Sequence, residues 1–131
     1  MPPALVHYWT MWNEPDPTRI RHHLDRAVAE RVVWVDPRDT FVGRDALEAN
    51  VVALRTNRPG YRFVIASAVD GHHDRLRYRW DMMRGRRVLL RGLDIVTIDR
   101  NGLVARVDGF FGDPPPIDGH GHGIPAALLG E

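Results

Sequence analysis

Strand segments joined by short polar turns fill residues 61–112, and this pattern constrains the fold more than any other feature. Apolar, β-branched and aromatic residues predict strands over 61–69, 75–83, 87–98 and 104–111. The connections contain turn residues such as Asn101–Gly102, which are typical of hairpins. Because long strands twist, a sheet built from them does not stay flat. The sequence therefore predicts a strongly curved, largely antiparallel sheet.

Three helical segments precede this sheet. The first covers about 3–12, where aromatic residues recur at helical spacing. The second begins at Asp16–Pro17, an N-cap followed by a proline at the first helical position. The third runs over about 44–56, and a strand-like run at 31–35 comes before it and pairs back with the sheet. This order of elements predicts an α+β fold.

Chain length indicates a single domain with an appended tail. At 131 residues the chain suffices for one core and is too short for two. We predict a cone-shaped α+β domain over 1–112, in which about three helices pack on the strongly curved mixed sheet. An irregular tail rich in Pro, Gly and His follows over 113–131. A cone encloses an apolar interior, which predicts a pocket for a small hydrophobic molecule.

The residue types that are missing narrow the chemistry. All 18 basic residues are arginine, so Schiff-base chemistry on lysine is excluded. Cysteine is absent as well, which removes thiol nucleophiles and zinc–thiolate sites. The one serine, Ser67, lies between two alanines and not in a nucleophile elbow. Adjacent His72 and His73 on a strand would point to opposite faces, so we expect no metal and no cofactor.

Charge and hydropathy argue against two classes of partner. The net charge of +1 gives no strong attraction to nucleic acid or to a membrane surface. No apolar run reaches the length of a membrane span, and we expect no signal peptide, because the first residues lack a basic region followed by a long apolar run. We therefore expect a cytoplasmic protein.

One carboxylate, Asp94, interrupts an otherwise apolar strand. A buried aspartate costs stability unless it is paired, hydrogen-bonded or protonated. Strand alternation places Gly92, Asp94 and Val96 on one face. If that face points inward, burial should raise the pKa of Asp94 and keep it substantially protonated near neutral pH. On the outer face, Asp94 would simply pair with an arginine.

Several short motifs follow one another in a characteristic order: Tyr8–Trp9, Trp12–Asn13, Asp36–Pro37, Gly43–Arg44, Gly92–Leu93–Asp94 and Gly109–Phe110–Phe111. In this order and spacing they resemble the nuclear-transport-factor-2-like superfamily. Within it they resemble the branch of SnoaL-like polyketide cyclases and ketosteroid isomerase. The resemblance covers about residues 5–112 and implies the cone fold. The superfold hosts several activities, so the fold alone does not identify the function.

The isomerase of this branch uses an aspartate base, a tyrosine donor and a protonated aspartate donor. The resemblance places the tyrosine at Tyr8, the base at Asp36 and the protonated donor at Asp94. It implies cofactor-independent acid–base catalysis on a small hydrophobic carbonyl compound, by isomerisation, cyclisation or dehydration. From the residues alone, Asp36 also suits a turn and Tyr8 also suits the core.

The pocket walls are predicted from the same elements. The residues expected to contact the substrate are Trp12, Trp34, Val51, Leu54, His73, Trp80, Val96 and Phe111. The orientation of strand 75–83 stays open. Strand alternation buries Tyr78 and Trp80, whereas an ungapped comparison with the isomerase turns Arg77 and Arg79 inward.

Other functions and a partner remain open at this point. Epoxide hydrolases of the superfold use two aspartates and an arginine, and Arg79, Asp81 and Asp108 resemble that set. Asp108 alone resembles the single acid–base aspartate of SnoaL-type cyclases, and a non-catalytic small-molecule-binding module would have the same fold. We also expect a homodimer through the outer face of the sheet, because exposed apolar strand residues invite aggregation. That face includes some of Leu89, Arg91, Leu93 and Ile95.

Overall fold

A computed structural model describes residues 1–117 and 123–130 of the chain. The helices are α1 (Pro3–Trp12), α2 (Ile20–Ala27) and α3 (Arg44–Asn57), with 3₁₀ turns at Pro17–Arg19 and Ala126–Leu128. The strands are β1 (Val28–Val35), β2 (Thr40–Val42), β3 (Tyr61–Ile65), β4 (Asp70–His72), β5 (Arg75–Arg84), β6 (Arg87–Ile98) and β7 (Val104–Phe111). No described helix is long and apolar enough to cross a membrane. The predicted tail lies partly outside these residues, and 113–117 contain neither helix nor strand.

The seven strands form one mixed sheet in the order β2-β1-β7-β6-β5-β3, with β4 on β5. β1 runs parallel to β7, and the other pairs are antiparallel. The early strand thus pairs back against the last one. The predicted α+β architecture, three helices on a curved, largely antiparallel sheet, is confirmed.

Two short strands escaped prediction because they depend on their partners and not on local pattern. β2 is three residues long, and β4 consists of polar residues predicted as a connection. In β4, a Cβ on Gly71 would lie 2.1 Å from the carbonyl oxygen of Arg75, so only glycine fits this close approach. The preceding strand β3 ends at Ile65 and not at Val69.

The structure decides the orientation of β5. Tyr78 and Trp80 are buried, whereas Arg77 and Arg79 are exposed. The one register shift between β5 and β6 lies between Met82 and Met83, beyond these residues. Strand alternation therefore predicted the inner face correctly, and the ungapped comparison was wrong.

Asn13 fixes the end of α1 against the sheet. Its side-chain amide donates to the carbonyl oxygen of Phe63 at 2.9 Å and accepts from the Phe63 backbone N–H at 2.7 Å. The same amide donates to the carbonyl oxygen of Trp9, one turn back in the helix. This clamp holds the aromatic face of α1 above the inner face of the sheet.

Candidate active site

A cavity of about 420 Å³ lies between α1, α3 and the inner face of the sheet. Its walls are mainly aromatic and aliphatic, and a few polar groups project from them. Most of the predicted site residues line it: Tyr8, Trp12, Trp34, Asp36, Leu54, Trp80, Asp94 and Phe111. The structure therefore brings all three predicted catalytic residues to one cavity.

Asp94 lies on the inner face of β6 and is only 4% exposed. The Tyr78 hydroxyl donates to its Oδ2 at 3.0 Å, and the indole N–H of Trp80 donates to its Oδ1 at 2.9 Å. Both carboxylate oxygens therefore accept a hydrogen bond from a buried aromatic donor. Such donors favour the ionised form of the acid.

Strand register explains why these donors reach Asp94. Tyr78 lies directly opposite Asp94 on β5, and Trp80 lies opposite Gly92. A Cβ on Gly92 would lie 2.0 Å from the Trp80 ring, so the indole packs on this position only because it is glycine. On the other side of β6, Gly109 pairs with Asp94, and a Cβ there would lie 3.2 Å from Oδ1. Both glycines leave room around the carboxyl group.

Burial raises the pKa of Asp94 from 3.8 to about 6. The hydrogen bonds from Trp80 and Tyr78 oppose this shift, and the negative charge of Asp36 adds to it. The direction is the one predicted from the sequence, but the extent is smaller. At pH 7 only about a tenth of Asp94 is protonated in the free protein. Asp94 is thus mostly a carboxylate at neutral pH, and its pKa lies close enough to neutral pH for it to gain and lose a proton readily.

Tyr8 on α1 contributes the second buried polar group. Its hydroxyl oxygen accepts a hydrogen bond from the indole N–H of Trp34 at 3.0 Å. Desolvation raises the pKa of Tyr8, and the nearby charge of Asp94 raises it further. The phenol therefore keeps its proton throughout the ordinary pH range. It is suited to donate a hydrogen bond, not to act as a base.

Asp36 lies where β1 ends and serves the turn as well as the cavity. Its Oδ1 accepts backbone N–H groups from Arg38 and Asp39, both at 2.8 Å. This is the turn role that the Asp–Pro dipeptide also suits. Its charge raises the pKa of both Tyr8 and Asp94, so the three groups are electrostatically coupled.

Sequence reasoning did not assign a site role to Tyr78 or Trp9. The Tyr78 hydroxyl accepts a hydrogen bond from the indole N–H of Trp9 at 3.0 Å and donates one to Asp94, so the three side chains form a chain of hydrogen bonds. The available signal was the position of Tyr78 on the inward face of β5. Its partner was not predictable, because cross-strand register is set by turns and bulges.

Three predicted contact residues lie outside the cavity lining. Val51 and Val96 are fully buried and belong to the core, so they support the walls from behind. His73 is exposed in the turn between β4 and β5, with a φ of 53°, and does not line the cavity. Its prediction as a substrate contact is wrong.

The residues of the epoxide hydrolase alternative lie on the outer face. Arg79 pairs with Asp113 at 2.7 Å, and Asp108 pairs with Arg106 at 2.9 Å. Asp81 follows Arg79 by two positions on β5 and shares its face. None of the predicted set (Arg79, Asp81 and Asp108) lines the cavity. This geometry contradicts that alternative, and it removes Asp108 as a single acid–base group in the cavity.

Within the part of the chain that the structure describes, no group of three or more His, Asp or Glu side chains is arranged to hold a metal ion. The polar side chains that line the cavity carry phenol, carboxyl, indole, amide and guanidinium groups.

Comparison with known proteins identifies relatives of the whole domain. A family model described as a SnoaL-like domain matches residues 5–107. A structure from Agrobacterium tumefaciens, provisionally described as an isomerase of the SnoaL-like family, is 33% identical with a TM-score of 0.77, covering 84% of this chain and 95% of that one. No curated protein matches the chain.

Two more distant structures show the fold alone. A nuclear-transport-factor-2-like protein of unknown function from Exiguobacterium is 16% identical with a TM-score of 0.68, covering 85% of this chain and 99% of that one. A protein from Jannaschia, provisionally described as a SnoaL-like polyketide cyclase, is 11% identical with a TM-score of 0.62, covering 82% and 84%.

Proposed function

We propose a function from the premise that the chain belongs to the SnoaL-like domain family: its pocket binds a small hydrophobic carbonyl compound and catalyses proton transfer on it without a cofactor. The provisional description of the Agrobacterium relative as an isomerase supports this reaction class. The aromatic and aliphatic walls support the ligand class. The net reaction would be an isomerisation, a cyclisation or a dehydration.

The observation that carries the proposal is the state of Asp94. This carboxyl group is buried in the cavity wall, and burial raises its pKa to about 6. A general acid–base catalyst works best when its pKa lies near the working pH. A surface carboxylate, with a pKa near 4, would be a much weaker base.

In the proposed reaction, the Asp94 carboxylate takes a proton from the carbon next to the substrate carbonyl. The electrons of that C–H bond form the enolate double bond, and the carbonyl π electrons move onto oxygen. The Tyr8 hydroxyl donates a hydrogen bond to this oxyanion. Protonated Asp94 then returns the proton to another atom of the substrate, which restores the carboxylate.

This assignment differs from the roles that the resemblance implies, because it moves the base from Asp36 to Asp94. Both oxygens of Asp94 accept hydrogen bonds, which suits a proton acceptor more than a protonated donor. One oxygen of Asp36 is already engaged by two backbone N–H groups, which suits a structural role in the turn. In our proposal Asp36 adjusts the pKa of Asp94 and takes no proton.

The test is exchange of the α-protons of cyclic ketones such as β-tetralone in D₂O, followed by NMR, which detects proton abstraction without knowledge of the natural substrate. We expect enzyme-dependent exchange to increase with pH and to level off above about 6, since the carboxylate is the active form. Asp94→Asn should reduce exchange by about 10²–10⁴-fold. Asp81→Asn, on the outer face of β5, is the matched control and should exchange like the wild type.

Two outcomes decide against this assignment. Exchange that decreases as pH rises through 6 would make protonated Asp94 the active form and return the base to Asp36. If no ketone exchanges above the buffer rate while the ketones still bind, the pocket is a non-catalytic binding module.

A further inference from the structure

The buried indole N–H of Trp12 differs from those of the other tryptophans because it has no hydrogen-bond partner among the described residues. The other three tryptophans each donate to a buried polar group: Trp9 to Tyr78, Trp34 to Tyr8 and Trp80 to Asp94. Trp12 is 6% exposed, and its Nε1 has no hydrogen-bond partner among the residues that the structure describes. Buried donors are rarely left unpaired, and an exception within a pocket wall calls for a functional reason.

Trp12, which carries this unpaired donor, lies next to Tyr8. Trp12 follows Tyr8 by one helical turn, and their rings meet edge to face with centroids 6.3 Å apart. Trp12 also packs against Trp34, whose N–H already donates to the Tyr8 oxygen. The Trp12 indole is near enough to that hydroxyl to lower the pKa of Tyr8, against the larger effect of burial. Two indoles therefore flank one phenol oxygen.

The Tyr8 hydroxyl has capacity for a second donor. Its oxygen accepts only from Trp34, and its own proton has no acceptor in the described part of the chain. When a ligand oxyanion accepts that proton in a hydrogen bond, negative charge builds up on the Tyr8 oxygen. The free lone pair then becomes a stronger acceptor, and hydrogen bonds polarise one another in such chains.

We propose that Trp12 is a positioning residue that acts through Tyr8: its indole N–H closes onto the Tyr8 oxygen when the pocket holds an oxyanion. The pocket thereby selects enolate- or phenolate-like ligands over neutral oxygen compounds of the same shape. This inference rests on the proposed function, because the oxyanion is the enolate formed there.

The test uses 4-nitrophenolate as a probe and 4-nitroanisole, its neutral methyl ether, as the matched ligand. Both are titrated at pH 8 into the Asp94→Asn protein, which resembles the state after proton transfer because this side chain is then neutral. Adding Trp12→Phe should weaken 4-nitrophenolate binding by about tenfold, as loss of a charge-assisted hydrogen bond does. Binding of 4-nitroanisole should change by less than about twofold, because the aromatic ring is retained.

A double-mutant cycle shows whether Trp12 acts through the phenol. In protein that already carries Tyr8→Phe, the addition of Trp12→Phe should cause no further selective loss of 4-nitrophenolate. Equal weakening of both ligands would reduce Trp12 to packing, and a selective loss that persists without the Tyr8 hydroxyl would mean direct contact with the ligand. Failure of the Asp94→Asn protein to prefer 4-nitrophenolate over the ether would also overturn the inference. None of these binding results depends on ketone exchange, so failure of this inference can be distinguished from failure of the proposed function.

Discussion

Asp94→Asn should change the pH dependence of folding by an amount that follows from the burial of this carboxyl group. Burial raises the pKa of Asp94 from 3.8 to about 6, which favours the protonated form in the folded state. The stability linked to this proton is fully present below pH 3.8 and is lost as pH rises through 6. A shift of about two units corresponds to about 3 kcal/mol. About 2 kcal/mol of this should be lost between pH 4.5 and pH 8.

The assay is urea unfolding of the wild type and of Asp94→Asn from pH 4.5 to pH 8. Asparagine retains the shape of the side chain and does not ionise in this range. The free energy of unfolding of the wild type minus that of the variant should fall by about 2 kcal/mol as pH rises. The pKa values of Asp16 and Asp70 are lowered by hydrogen bonds, but both proteins contain these groups, so their effects cancel. A difference that stays constant within about 0.5 kcal/mol would refute the buried, desolvated state of Asp94.

Three further variants test the structure around this group and the expected partner. Gly92→Ala places a Cβ 2.0 Å from the Trp80 ring, so it should destabilise the fold by about 1–3 kcal/mol in urea unfolding and raise the pKa of Asp94 by displacing its indole donor. Tyr78→Phe removes the other donor and should raise the pKa of Asp94 by about one to two units in an NMR titration. We expect a homodimer through the outer face of the sheet, where Phe110 is 57% exposed, and Phe110→Glu should convert it to a monomer in sedimentation.

Each of these variants has a matched control. Gly60→Ala adds a Cβ that meets no atom within 4 Å, so unfolding should change little. Tyr61→Phe removes the hydroxyl of another tyrosine that lines the cavity but does not donate to Asp94, and it should leave the pKa of Asp94 unchanged. Val6→Glu changes an exposed apolar residue on α1 and should leave the oligomeric state unchanged. A wild-type protein that sediments as a monomer at micromolar concentration would contradict the dimer.

Local periodicity was enough to predict which side chains point inward. Helical spacing places Tyr8 and Trp12 on the buried face of α1, and strand alternation places Asp94 and Trp80 on the inner face of the sheet. These patterns repeat every few residues, so the predicted direction of a side chain does not depend on the exact ends of its helix or strand. For this reason the fold could be predicted, and eight of the eleven predicted site residues line the cavity.

The polar contacts could not be predicted, because they depend on distances between elements. The hydrogen bond from Tyr78 to Asp94 depends on the register between β5 and β6. An irregularity near one end of this strand pair helps to set that register. The two hydrogen bonds that Asp36 accepts from backbone N–H groups depend on the conformation of one turn. His73 was misplaced because the position of its turn depends on the pairing of β4 with β5, and β4 was not predicted.

Residue-specific ¹³C NMR titration of the Asp94 carboxyl carbon tests the central claim most directly. That claim is that a carboxyl group buried in the cavity wall is adjusted for proton transfer near neutral pH. The expected midpoint lies at about pH 6, for a resonance that Asp94→Asn removes. A midpoint near 4, the ordinary value for an aspartate, would contradict it.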